Sequence, residues 1–154
     1  MLYERRVFLR RFKILIIPFL LFSFLASGCA TDSSNIASFG PKVVIEDNNK
    51  NVKEVCQTVF ETYLNYLEGK SISDEMRITD YQINQIKVEQ TIAGNSETKY
   101  IFSANYSILP ASKRFSLTGS GTKLDNGWIE QKFHVFEITK NKNTYRITGM
   151  ATGK

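Results

Sequence analysis

The 154-residue chain carries 20 basic and 15 acidic side chains, a formal net charge of +5, with two cysteines and one histidine. Arg5, Arg6, Arg10, Arg11, Lys13 and Glu4 all lie within the first 28 residues, so the remainder holds 15 bases against 14 acids, a charge of +1. Nucleic-acid binding driven by net charge is therefore excluded, since no dense basic stripe with interleaved aromatics follows. A metal site built on clustered Cys and His is excluded too, because Cys56 and His134 fall in different predicted elements.

The cationic stretch Met1 to Lys13 runs directly into the uncharged apolar run Ile14 to Leu25, followed by the small residues Ala26, Ser27 and Gly28. A basic region, a short apolar region and a small-residue site form the layout of a secretory signal. A spanning helix asks for about 20 predominantly apolar residues, and this run is shorter and contains Pro18. The segment Leu25-Ala26-Ser27-Gly28-Cys29 resembles the lipobox of bacterial lipoproteins. That resemblance implies cleavage between Gly28 and Cys29 and lipid, palmitate among its acyl chains, on the Cys29 thiol. Two acyl chains suffice for stable anchoring where one does not. The expected location is the outer face of a cell membrane, outside the cytoplasm. An ordinary secreted protein with a chance cysteine is the alternative. Lipidation of Cys29 would leave Cys56 without an intrachain disulfide partner.

Residues 29–50 are rich in Ser, Asn, Asp and Gly and read as a flexible tether, with one apolar patch at Val43, Val44 and Ile45 that could dock on the domain as a short strand. Residues 51–154 then form one domain with a single modest core. From Val52 the apolar positions Val55, Cys56, Val59, Phe60, Tyr63, Leu64 and Leu67 have the spacing of one helix face. Asn49 or Asn51 supplies the N-cap, and Gly69 the stop. Beyond Asp80 the period changes to two. Strands are expected at Gln85 to Ile92, Tyr100 to Ile108, Arg114 to Leu124, Trp128 to Thr139 and Thr144 to Met150, with Gly119 and Gly121 bending the third. The expected fold is α+β: one long N-terminal helix packed on a curved antiparallel sheet of about five strands.

The lipobox, the aromatic helix from Val59 to Leu67, the strands YIFSANYSILP and GWIEQKFHVFEI and the end YRITGMATG together resemble small lipoproteins of low-GC Gram-positive bacteria that carry an NTF2-like domain, of the cystatin-like class. The resemblance implies a sheet wrapped as a cone round the helix. Many such domains have further helices before the sheet, for which this chain has only the polar stretch Lys70 to Asp80. The fold hosts enzymes and binding modules alike, so chemistry has to come from sites.

His134 is the natural acid–base candidate, expected in phase with Trp128, Glu130, Phe136 and Ile138, with Tyr63 or Tyr106 nearby. Such a set would suit proton abstraction beside a carbonyl, as in the isomerases and dehydratases of this fold. The blander reading, a half-exposed strand histidine, weighs more. No GxSxG motif is present, the Gly119-Ser120-Gly121 run lacks a phosphate loop's lysine and helix, and Cys56 lies on the apolar stripe. The fourth strand bears large apolar groups on both faces, which points to a central strand, a concave binding surface or a dimer face. The leading expectation is a non-enzymatic module, with no cofactor or metal, that binds a protein, a peptide or a small apolar ligand through Trp128, Glu130, His134, Phe136, Tyr63 and Tyr106. Homodimerisation through the sheet is the other use of such a face. An enzyme using His134 and Glu130 is the alternative.

The lipobox predicts that Cys29→Ala abolishes fatty-acid incorporation and releases the chain from the membrane or leaves it unprocessed, while Cys56→Ala changes neither. Metabolic labelling followed by membrane fractionation measures both, and label retained in Cys29→Ala contradicts the assignment.

Overall fold

The structure, a computed structural model, describes residues 40–46 and 49–152. The fold is α+β, one helix against a curled antiparallel sheet that forms a half-barrel. In chain order the elements are β1 (Val43–Val44), α1 (Val52–Leu67), β2 (Ile78–Ala93), β3 (Thr98–Pro110), β4 (Thr122–Lys123), β5 (Ile129–Asn141) and β6 (Thr144–Thr152). The sheet order is β1-β6-β5-β3-β2, with the two-residue β4 paired to β5 off that path. α1 therefore carries the chain from one edge of the sheet to the other across its concave face.

The helix begins where Asn51 closes a capping box: its side-chain oxygen accepts from the Glu54 backbone N–H at 3.0 Å, and the Glu54 carboxylate accepts from the Asn51 N–H at 3.1 Å. It is shorter than expected. Sixteen residues span about 24 Å, and Gly69 ends the helix by bonding back to the Tyr66 carbonyl. Nor is it the first element among the described residues. β1 precedes it because Val43 pairs with Tyr145 and Val44 with Thr144, carrying Ile45 into the core.

The helix stripe meets inward residues of β3 and β5. Phe60 lies at the centre, its ring 4.9 Å from Phe136, 5.2 Å from Tyr106 and 6.0 Å from Phe102. Val55, Cys56, Val59, Tyr63, Leu64 and Leu67 complete the buried face.

β2 departs from simple alternation at three irregularities, between Ile78 and Asp80, Ile83 and Gln85, and Val88 and Gln90. Each extra residue flips the strand's phase. Ile78, Tyr81, Ile83, Ile86 and Val88 consequently all turn toward the core, while Ile92, which simple alternation would set on the face of Ile86 and Val88, is exposed.

The third expected strand, Arg114 to Leu124, is reduced to Thr122–Lys123. Gly119 (φ +112°) and Gly121 (φ +151°) hold the chain out of strand geometry there. The preceding loop is tied down by hydrogen bonds from the Ser116 N–H to the Glu75 carbonyl at 2.8 Å and from the Ala111 N–H to the Arg77 carbonyl at 3.0 Å.

Truncating either central ring should be severe. Phe60→Ala and Phe102→Ala are each expected to cost about 3–5 kcal/mol through lost burial and an uncollapsed cavity, whereas Ile92→Ala should cost under about 1 kcal/mol. Urea midpoints of the three variants measure this, and a Phe60→Ala midpoint equal to the parent's contradicts the core.

Candidate functional site

At the inner end of β5 alternate residues Lys132, His134, Phe136 and Ile138 face the helix and are all buried. Opposite them β3 contributes Tyr106 and Ala104, and α1 contributes Tyr63. A small polar cluster results inside an otherwise apolar core. The Tyr106 hydroxyl and His134 Nδ1 are 3.0 Å apart, and the ring's tautomer decides which of the two donates. The Lys132 ammonium donates to the Leu117 and Thr118 carbonyls, each at 3.3 Å. Tyr63 Oη and His134 Nε2 are buried without a hydrogen-bond partner among the described residues.

The loop before β4 closes this end. A Cβ placed on Gly119 would stand 2.3 Å from His134 Cε1, so the backbone lies directly on the imidazole, an approach open only to glycine. On the helix side, Gly40 does the same for Tyr63, where a Cβ would meet Cδ2 at 2.9 Å.

Burial sets the electrostatics. It lowers the His134 pKa below its ordinary 6.5, the neighbouring Lys132 charge lowers it further, and the Thr118 backbone opposes both. The Lys132 ammonium is likewise destabilised by burial. Burial pushes the Tyr63 hydroxyl up to about 12 and raises Tyr106 as well, each with help from a nearby tyrosine. The Cys56 thiol, free and buried, is pushed up to about 12, the opposite of what a reactive thiolate needs.

Of the residues singled out in the sequence, Tyr63, Tyr106, His134 and Phe136 come together on the concave face. Trp128 and Glu130 do not join them. An extra residue in β5 between the pairs Tyr106–Lys132 and Ile108–Ile129, with Gln131 at φ +55°, reverses the strand's phase. Ile129 thereby takes the inward position, Glu130 is exposed opposite Thr122, and Trp128 sits half-buried at the base of the turn, its backbone N–H donating to Asn126 Oδ1 at 3.1 Å. Sequence reasoning missed Lys132. Its signal was its place two residues before His134 on the same face. Gly28 and Cys29 lie outside the described residues.

A histidine at 0 % exposure beneath a glycine backbone has no path for a substrate to reach it. Among the described residues, four surface grooves are lined by residues other than His134. Among the described residues no group of three or more His, Cys, Asp or Glu side chains is placed to hold a metal ion, and no helix is long and apolar enough to cross a membrane. Comparison with protein-family models, curated proteins and solved structures finds no match for this chain.

The buried imidazole gives the fold a signed pH dependence. Its folded-state pKa lies below the unfolded value of 6.5, so as pH falls the unfolded chain takes up the proton first. The neutral ring's contribution is complete above pH 6.5 and is lost below it, at up to about 1.4 kcal/mol per pH unit for one proton. Urea midpoints between neutral pH and about pH 5, above most carboxylate titrations, should fall more steeply in the parent than in His134→Phe. Equal slopes would contradict the burial.

Proposed function

We propose that this chain is a lipid-anchored extracytoplasmic protein whose NTF2-like or cystatin-like domain binds an apolar ligand, peptide or protein without catalysing a reaction. The lipobox residues Leu25 to Cys29 support the anchor. One helix in the concavity of a curled sheet fits the cone architecture.

The observation that carries the binding reading is on the convex face, away from the helix. There a groove of about 310 Å³ is lined by Ile101, Val135, Glu137, Gly149, Met150 and Ala151, together with buried Phe136, and is overwhelmingly apolar. The register sets Ile101 opposite Glu137 and Val135 opposite Ala151, so the groove runs over three adjacent strands. Gly149 keeps its floor open, since a Cβ there would approach the Glu137 Cβ to 3.2 Å. Half-buried Phe133 continues the apolar surface along the outward face of β5. Apolar surface on a rigid central strand, with polar residues at its margins, is how a binding face is commonly built. Burial of His134 and the separation of Glu130 from it weigh against catalysis.

An environment-sensitive apolar dye such as anilinonaphthalene sulfonate probes the groove. The folded protein is expected to enhance its fluorescence, and the double variant Ile101→Thr, Val135→Thr, which keeps β-branching, should lose most of that signal while melting within a few degrees of the parent. Unchanged enhancement in the double variant, or none in the parent, contradicts the assignment.

A further inference from the structure

A second groove, of about 420 Å³, lies on the same convex face at the end of the sheet where the β5–β6 turn and β1 meet. Its charged lining is wholly cationic: Lys42, Lys142 and Arg146, interspersed with the hydroxyls of Thr139, Thr144 and Thr148. Three separate elements deliver the cations. Lys142 stands in the tight turn at φ +54°, Arg146 pairs with Thr139 across β5 and β6, and Lys42 enters just before Val43 pairs with Tyr145. At the margin of the groove the Thr148 hydroxyl donates to Glu137 Oε1 at 2.9 Å, an oxygen that also accepts from Lys99 at 3.1 Å. Ammonium and guanidinium donors beside hydroxyls are the chemistry that receives a phosphate.

This end of the sheet is also where the chain arrives from its N-terminal side. Lys42 is 13 residues from Cys29, and that length of chain reaches at most about 45 Å. A lipid on Cys29 would therefore keep the groove close to the bilayer surface, at an effective concentration far above that of a free protein.

The geometry points to Lys42, Lys142 and Arg146 as a docking site for the phosphate headgroups of anionic phospholipids in the membrane that carries the anchor. The inference rests on the proposed lipidation of Cys29. Docking orients the domain: with the cationic end against the membrane, the domain's position relative to the bilayer is set by charge rather than by the tether alone. Attraction of this kind is screened within a Debye length of about 10 Å, so it weakens with salt.

The test uses the full chain purified from membranes and reconstituted in vesicles of phosphatidylcholine alone or with phosphatidylglycerol. Amine acetylation is followed at each lysine by peptide mass spectrometry. In anionic vesicles acetylation of Lys42 and Lys142 should slow about fivefold or more, the ratio that about 1 kcal/mol of attraction per cation produces. Exposed Lys53 on the helix should be unaffected. High salt should remove the protection, and Arg146→Gln should reduce it. Equal rates in both vesicles, or equal slowing of Lys53, overturns the docking site. The mass of the N-terminal peptide reports lipidation separately. Protection without lipid leaves the docking site standing and removes the anchor, whereas lipid without protection does the reverse.

Discussion

Phe60 is the residue on which the remainder of the domain depends. Its ring packs against side chains from both central strands, Phe102 and Tyr106 of β3 and Phe136 of β5, at centroid distances of 6.0, 5.2 and 4.9 Å. A core filled in this way, with Tyr63, Phe102, Tyr106 and Phe136 packed ring against ring, has its volume taken by side chains. The concavity that would hold a substrate in an enzyme of this shape is occupied by the helix stripe and by the loop over His134. Under the proposed binding function, recognition falls to the outer face.

The polar cluster inside that core has a cost and a use. Burying Tyr63, His134 and Lys132 forfeits hydration that hydrogen bonds only partly replace. In return the Lys132 ammonium and the His134 ring fix the glycine-bearing loop before β4, which contributes almost no sheet pairing of its own. The sheet's long edge is managed differently. β2 is 16 residues long, and its three irregularities together with Lys87 and Glu89, paired at 2.9 Å, make it a poor template for another strand.

The span of the helix was legible in the sequence, because 3.6-residue periodicity and the Gly69 stop each have a direct physical meaning, although the cap stood open between Asn49 and Asn51 and the helix was expected to be long and first. So were β3 and β6, whereas Tyr63 and Tyr106 stood only as alternatives near His134, and it is the pairing of β3 with β5 that brings Tyr106 to it. Bulges were not legible. Nothing in the types of Asn84 or Gln131 marks an inserted residue, yet each reverses every side chain beyond it, and for that reason Glu130 and Trp128 were expected beside His134 and are not. Lys132 escaped notice because a strand lysine ordinarily faces water, and only the loop carbonyls that receive its ammonium explain its inward turn. The two glycines at 119 and 121 did announce a bend, but not that it would remove a strand. Val43 to Ile45 read as an apolar patch, and only the open edge of β6 shows why they pair.

The closed concavity is most directly tested by the chemical accessibility of the single histidine. Diethyl pyrocarbonate carbethoxylates an exposed imidazole and is read by absorbance at the ring, and His134 is the only one in the chain. The native protein is expected to resist modification until denaturant unfolds it, at which point one equivalent reacts. Rapid stoichiometric modification of the folded protein would mean that the space beneath Gly119 is open to small molecules, and would contradict the view that this domain works through its outer face.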